Sequence, residues 1–144
     1  MITLATFTHF YNELLSSTKD RRVAWKMLIS HPQASNMEDL LQSANDMPDF
    51  GTNSIKFSGS YFAEKEGVGT LYLVEVYHPT TDPISGQLYL LSWSNDSATP
   101  INLSDYFNLS QGQLGALQIL VENILHNGDV DERDIKHFIS NFLT

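Results

Sequence analysis

Residues 70–78 read Thr-Leu-Tyr-Leu-Val-Glu-Val-Tyr-His, a run rich in the β-branched and aromatic residues that strands favour. Successive side chains of a strand point to opposite faces of its sheet, so the apolar residues of this run divide between two faces. One face carries Tyr72, Val74 and Val76, and the other carries Leu71, Leu73 and Tyr77. Because both faces are largely apolar, the run is predicted to be a central strand of its sheet.

Glu75 is the one acidic residue in this run. It interrupts the face that carries Leu73 and Tyr77. Burying a carboxylate without a partner is unfavourable, because the charge loses its hydration. We therefore expect solvent or a cationic neighbour beside Glu75.

Two segments of similar composition, residues 55–62 and 87–93, flank the central run. The intervening residues are rich in the Gly, Pro, Asp and Ser that form turns. This order predicts an antiparallel β-meander of at least three strands. Residues 101–109 fit either a short strand or one helical turn.

Outside the meander, apolar residues recur every three or four positions, as in amphipathic helices. Three N-terminal helices are predicted over residues 3–16, over residues 20–30 with Asp20 as the N-cap, and after the capping-box spacing Ser35 to Glu38. A C-terminal helix is predicted after Ser110, which stands three residues before Gln113. The last helix is predicted to start around Asp129 or Asp131 and to bury Ile135, Phe138, Ile139 and Phe142.

The 144 residues, with a mass of 16.2 kDa, fit one domain spanning residues 1–144. The predicted fold class is α+β: N-terminal helices, an antiparallel β-meander of three or more strands, and two C-terminal helices packed on one sheet face. Helices on one face leave the other face needing cover or a partner. An open sheet edge or an uncovered face could therefore pair with a second copy in a homodimer.

The charge is strongly acidic, with 8 Lys and Arg against 17 Asp and Glu and a formal net charge of -9. Residues 66–132 contain no Lys or Arg and nine carboxylates. This sign disfavours binding to nucleic acid or to anionic membranes. The first seven residues lack the basic and apolar regions of a signal peptide, and no run is long enough to span a membrane, so we expect a cytoplasmic protein.

Carboxylates interleaved with aromatic residues are typical of a surface that meets a cationic protein. The residues predicted to bind such a partner are Glu66, Glu75, Tyr77, Asp82, Tyr89, Trp93 and Asp96. The leading hypothesis is a non-enzymatic protein that neutralises or escorts a basic partner, as an inhibitor, an immunity-type protein or a chaperone. In the alternative interpretation the carboxylates only maintain solubility and the aromatic residues form the core of the sheet.

The sequence indicates no catalytic residue, cofactor or metal site. Cysteine is absent, and the five histidines lack the spacing of metal ligands. The competing functional hypothesis is a small-ligand-binding protein or enzyme with a pocket near His78, in which Tyr77 and Glu75 take part.

Overall fold

The computed structural model describes residues 4–44, 55–77, 86–96, 99–127 and 132–143. Short 3-10 turns connect some of the regular elements in these ranges. The helices and strands are, in chain order, α1 (Leu4–Lys19), β1 (Lys26–Met27), α2 (Met37–Ser43), β2 (Tyr61–Lys65), β3 (Gly69–Tyr77), β4 (Gly86–Ser94), β5 (Ile101–Asn102), α3 (Leu103–Tyr106), α4 (Gln111–Asn127) and α5 (Glu132–Leu143). The predicted α+β class is confirmed.

Within the described ranges, five strands form one antiparallel sheet in the order β1-β2-β3-β4-β5. The strand predicted to be central, β3, lies in the middle, where Leu73 pairs with Tyr61 of β2 and with Leu90 of β4. The two edge strands contain only two residues each. Short edges expose few unpaired backbone groups to another chain.

One face of the sheet is covered by the segment that runs from residue 28 to residue 44. Leu28, Met37 and Leu41 of this segment are fully or almost fully buried against β3 and its neighbours. The cluster comprises Leu28, Met37, Leu41, Ala44, Ile55, Phe62, Tyr72, Val74, Val76 and Leu91. We call it the Tyr72 cluster.

The opposite face is covered by α1 and α4. The hydroxyl of Tyr11 in α1 donates to the backbone oxygen of Gln113 in α4 at 2.7 Å, which ties the two helices together. The cluster beneath them comprises Leu14, Trp25, Tyr61, Ala63, Leu73, Leu88, Leu90, Leu114, Leu117 and Val121. We call it the Leu73 cluster. α4 therefore packs on one sheet face, as predicted, while the N-terminal third supplies cover to both faces.

The helix predicted over residues 20–30 is wrong. Asp20 directly follows α1, and its backbone N–H donates to the backbone oxygen of Ser16 at 3.0 Å. Arg21 then closes the helix in the left-handed conformation at φ 59°. The chain then crosses the sheet edge as β1, because Trp25 is buried in the Leu73 cluster and Leu28 in the Tyr72 cluster. Side chains three residues apart point to opposite faces of an extended segment, whereas they lie on the same side of a helix.

Two C-terminal predictions are resolved in detail. Residues 101–109 contain both of the alternatives, since β5 is followed directly by α3. The capping box before α4 is confirmed: the N–H of Gln113 donates to Ser110 Oγ at 3.1 Å, and the N–H of Ser110 donates to Gln113 Oε1 at 2.8 Å.

Candidate functional site

Three of the predicted partner-binding residues lie together at one end of the sheet. We call this end of the sheet the hairpin end. It consists of the β2–β3 turn at residues 66–68 and of residues 93–96, where β4 ends. The N–H of Asn95 donates to the backbone oxygen of Val68 at 3.1 Å, which joins the two turns. Glu66 and Asp96 are exposed there, and Trp93 is half-buried.

Glu75 lies elsewhere, since six residues of β3 place it about 20 Å from the hairpin end. Its carboxylate accepts a hydrogen bond from Gln118 Nε2 at 3.1 Å and lies 3.3 Å from Lys56 Nζ. Only 16% of the side chain is exposed. The cationic neighbour that the sequence required is therefore Lys56, and the carboxylate links β3 to α4 and to the segment before β2.

The aromatic residues of the predicted set contribute mainly to packing. Tyr89 packs against the Tyr72 cluster, its hydroxyl donates to Gln87 Oε1 at 2.9 Å, and burial raises its pKa. The ring centroid of Tyr77 lies 6.0 Å from Lys56 Nζ. Asp82 and His78 lie outside the described residues. The structure thus separates the described members into a group at the hairpin end and a group around β3 and β4 further along.

The two most exposed large apolar side chains among the described residues, Phe142 and Leu143, belong to α5, and this exposure contradicts the predicted burial of the helix. Phe138 is 67% exposed, Ile139 48%, Phe142 76% and Leu143 76%. The rings of Phe138 and Phe142 stack on each other with their centroids 5.8 Å apart. The side chain of Ile135 lies outside the described part of the chain. The four exposed residues Phe138, Ile139, Phe142 and Leu143 are called the α5 face below.

Sequence reasoning missed an arrangement around His31. This buried side chain accepts a hydrogen bond from the N–H of Gln33 at Nδ1, 3.0 Å away, and its Nε2 lies 3.2 Å from Glu64 Oε1. Its ring meets Phe62 edge-on at 4.6 Å. Both ring nitrogens are engaged, so neither is poised to take a proton from a substrate. No local signal could pair His31 with Glu64, because β2 brings them together from distant positions.

A polar cavity of about 490 Å³ adjoins His31 and extends to Trp93 at the hairpin end. In the part of the chain that the structure describes, no three His, Asp or Glu side chains gather as a metal site. None of the helices in these ranges combines the length and apolar composition needed to cross a membrane. Comparison of the chain with protein-family models, with curated proteins and with solved structures finds no match.

Proposed function

We propose that the protein is a non-enzymatic protein-binding domain that docks a basic partner through the α5 face. The observation that carries this proposal is the exposure of Phe138, Phe142 and Leu143, each of which keeps more than half of its surface in solvent. Contiguous apolar patches on a soluble monomer mark interaction sites far more often than scattered apolar residues do.

The spacing of the α5 face suits a groove on another protein. Phe138, Ile139 and Phe142 stand at positions i, i+1 and i+4, so they share one side of the helix. An amphipathic helix that lays such a side into an apolar groove is a recurring mode of protein recognition. Full burial of one such side chain contributes roughly 1.5–3 kcal/mol, and two aromatic anchors are typical of a binding hot spot.

The net charge of -9 supports a partner of the opposite sign. The helix itself is close to neutral, with Glu132 and Asp134 balanced by Arg133 and Lys136. The charge lies instead on the rest of the chain, where Glu66, Asp96, Asp105 and Glu122 are among the exposed carboxylates. In this proposal the apolar face supplies affinity, and the carboxylates accelerate the encounter.

An inhibitor, an immunity-type protein and a chaperone would each use such a combination, and we place this activity in the cytoplasm. The test is a capture experiment from the cell of origin with three immobilised chains: the natural protein, the double variant Phe138→Ser/Phe142→Ser, and the control His137→Ala/Ser140→Ala on the other side of α5. Circular dichroism checks that all three fold.

The proposal predicts one basic protein that the natural chain and the control retain, that the double variant loses, and that binds less tightly as salt rises. Equal retention by the double variant would contradict it. Light scattering tests whether a second copy of the chain binds the α5 face instead. A stable homodimer that is lost in the double variant would assign the face to that second copy.

A further inference from the structure

A second cavity, of about 510 Å³, opens at the hairpin end. Ala63 and Leu71 line it, and both belong to the sheet face that α1 and α4 cover further along. The residues that follow α1 close one side, with Arg22 and Ala24 in the lining. The cavity lies apart from the α5 face, none of whose residues line it.

The space exists because short side chains stand where helices no longer cover the sheet. α1 ends at Lys19, and Ala24 in the chain that follows has only a methyl side chain. On the sheet the lining includes Ala63 and Gly69. Gly69 allows the two strands to approach closely, since a Cβ there would lie 2.3 Å from the backbone oxygen of Trp93.

Two basic residues of this acidic chain, Arg22 and Lys65, also line the cavity. The Arg22 guanidinium lies 3.4 Å from the Asp20 carboxylate. Because both side chains are largely exposed, water screens this ion pair and the attraction between the two groups is weak. Glu64 is the one carboxylate in the lining, and its Oε1 lies beside His31 Nε2. The lining therefore carries two cations against one carboxylate, so its net charge is positive.

We propose that this cavity binds a small organic carboxylate with an apolar aromatic or aliphatic body. Its volume falls in the range of roughly 300–1,000 Å³ that is typical of small-molecule sites. The apolar body would contact Val23, Ala63 and Leu71, which lie on the same sheet face, and the carboxylate would accept hydrogen bonds from Arg22 and Lys65. The negative charge of the rest of the molecule opposes binding only weakly, because physiological salt screens charges beyond about 8 Å.

The test is a titration of the full chain with 2-naphthoate, followed by methyl and amide NMR spectra. The neutral analogue 2-naphthylmethanol tests whether the charge matters. Four variants accompany the natural protein. Arg22→Gln/Lys65→Gln removes both cations, and Lys26→Gln removes an exposed cation outside the lining. Ala24→Phe fills the cavity, and Ala116→Phe adds the same ring at an exposed position on α4.

We expect saturable binding of 2-naphthoate with shifts concentrated at Ala63 and Leu71, and binding of the neutral analogue about tenfold weaker. Removing both cations should weaken 2-naphthoate binding by a similar factor, and Ala24→Phe should abolish it, while both control variants bind normally. Shifts scattered over the surface, equal affinity for the neutral analogue, or full binding by Ala24→Phe would each overturn the proposal.

Discussion

Gly69 shows how one residue position fixes the packing of two strands. Its φ of +153° is a conformation that residues with a side chain rarely adopt, and a Cβ would meet the backbone oxygen of Trp93 at 2.3 Å. Because that obstacle is backbone of the neighbouring strand, no side-chain rotation relieves it. We predict that Gly69→Ala lowers the free energy of unfolding by about 3 kcal/mol or more, measured by urea denaturation.

Gly67 is the matched control for this prediction. It also has a positive φ, of +77°, but nothing lies within 4 Å of its missing Cβ. Gly67→Ala should therefore lower the free energy of unfolding by only about 1–2 kcal/mol, the strain of the left-handed conformation. If the two variants lost equal stability, the close approach of the strands would not be the reason that position 69 requires glycine.

The sequence indicated that Glu75 needs a cation or solvent beside it, but not which residue provides the cation. The strand pattern placed a carboxylate on an apolar face and so required a cation or solvent. Lys56 and Gln118 meet that need from segments far away in the chain. A hydrogen bond with Tyr77 and the charge of Glu75 hold the pKa of Lys56 above its ordinary value. Pairings of this kind depend on tertiary folding, and no local pattern encodes them.

Among the elements, α4 is the one whose start was best determined by the sequence. Ser110 and Gln113 satisfy each other's backbone N–H groups, as their spacing requires. We predict that Ser110→Ala lowers the free energy of unfolding by about 1 kcal/mol, because the N–H of Gln113 loses its acceptor. Ser110→Asp keeps an acceptor and should stay within a few tenths of a kcal/mol of the natural protein. If Ser110→Ala and Ser110→Asp lowered the free energy of unfolding equally in urea denaturation, the side-chain cap would not contribute to stability.

The elements that the sequence did not determine are those whose surroundings override local preference. Residues 20–30 have helical spacing, but they contain the two-residue edge strand β1 and a 3-10 turn, because Trp25 and Leu28 are buried on different faces. Helical periodicity predicts α5 correctly, but the apolar side of this helix is exposed rather than part of the core. Periodicity shows which side of a helix is apolar and does not show what covers it.

The whole molecule should lose stability at alkaline pH. Burial raises the pKa of Tyr61, Tyr72 and Tyr89 in the folded state, whereas in the unfolded chain tyrosine titrates near 10. Above that pH the unfolded chain releases protons that the folded chain retains, so unfolding becomes easier as the pH rises. We predict a free energy of unfolding that is steady around pH 8 and falls from roughly pH 9.5 to 11.

Urea denaturation across this range measures the effect. Tyr72→Phe removes a buried titrating hydroxyl and should flatten the fall. Tyr106 is exposed, so Tyr106→Phe is the control and should leave the curve in place. A fall that is unchanged in Tyr72→Phe would mean that this tyrosine does not contribute to the alkaline loss of stability.

For the molecule as a whole, the fold class, the meander and its central strand followed from the sequence. The distribution of the charge relative to the fold did not, because Glu75 proved to lie along the sheet and Glu66 at its end. Two charged residues that follow one another in the sequence, with only uncharged residues between them, can lie about 20 Å apart on a strand. The binding role of the predicted residues therefore stays a prediction, and the α5 face carries the functional proposal.

Site-specific photocrosslinking in the cell of origin tests the docking role of α5 most directly. One chain carries Phe142→p-benzoylphenylalanine, on the exposed apolar side of the helix. The other carries Ser140→p-benzoylphenylalanine, about 160° around the helix axis. The α5 face predicts a crosslink from position 142 to a protein of basic isoelectric point and none from position 140. A crosslink from position 142 to a second copy of this chain, or equal crosslinks from both positions, would contradict it.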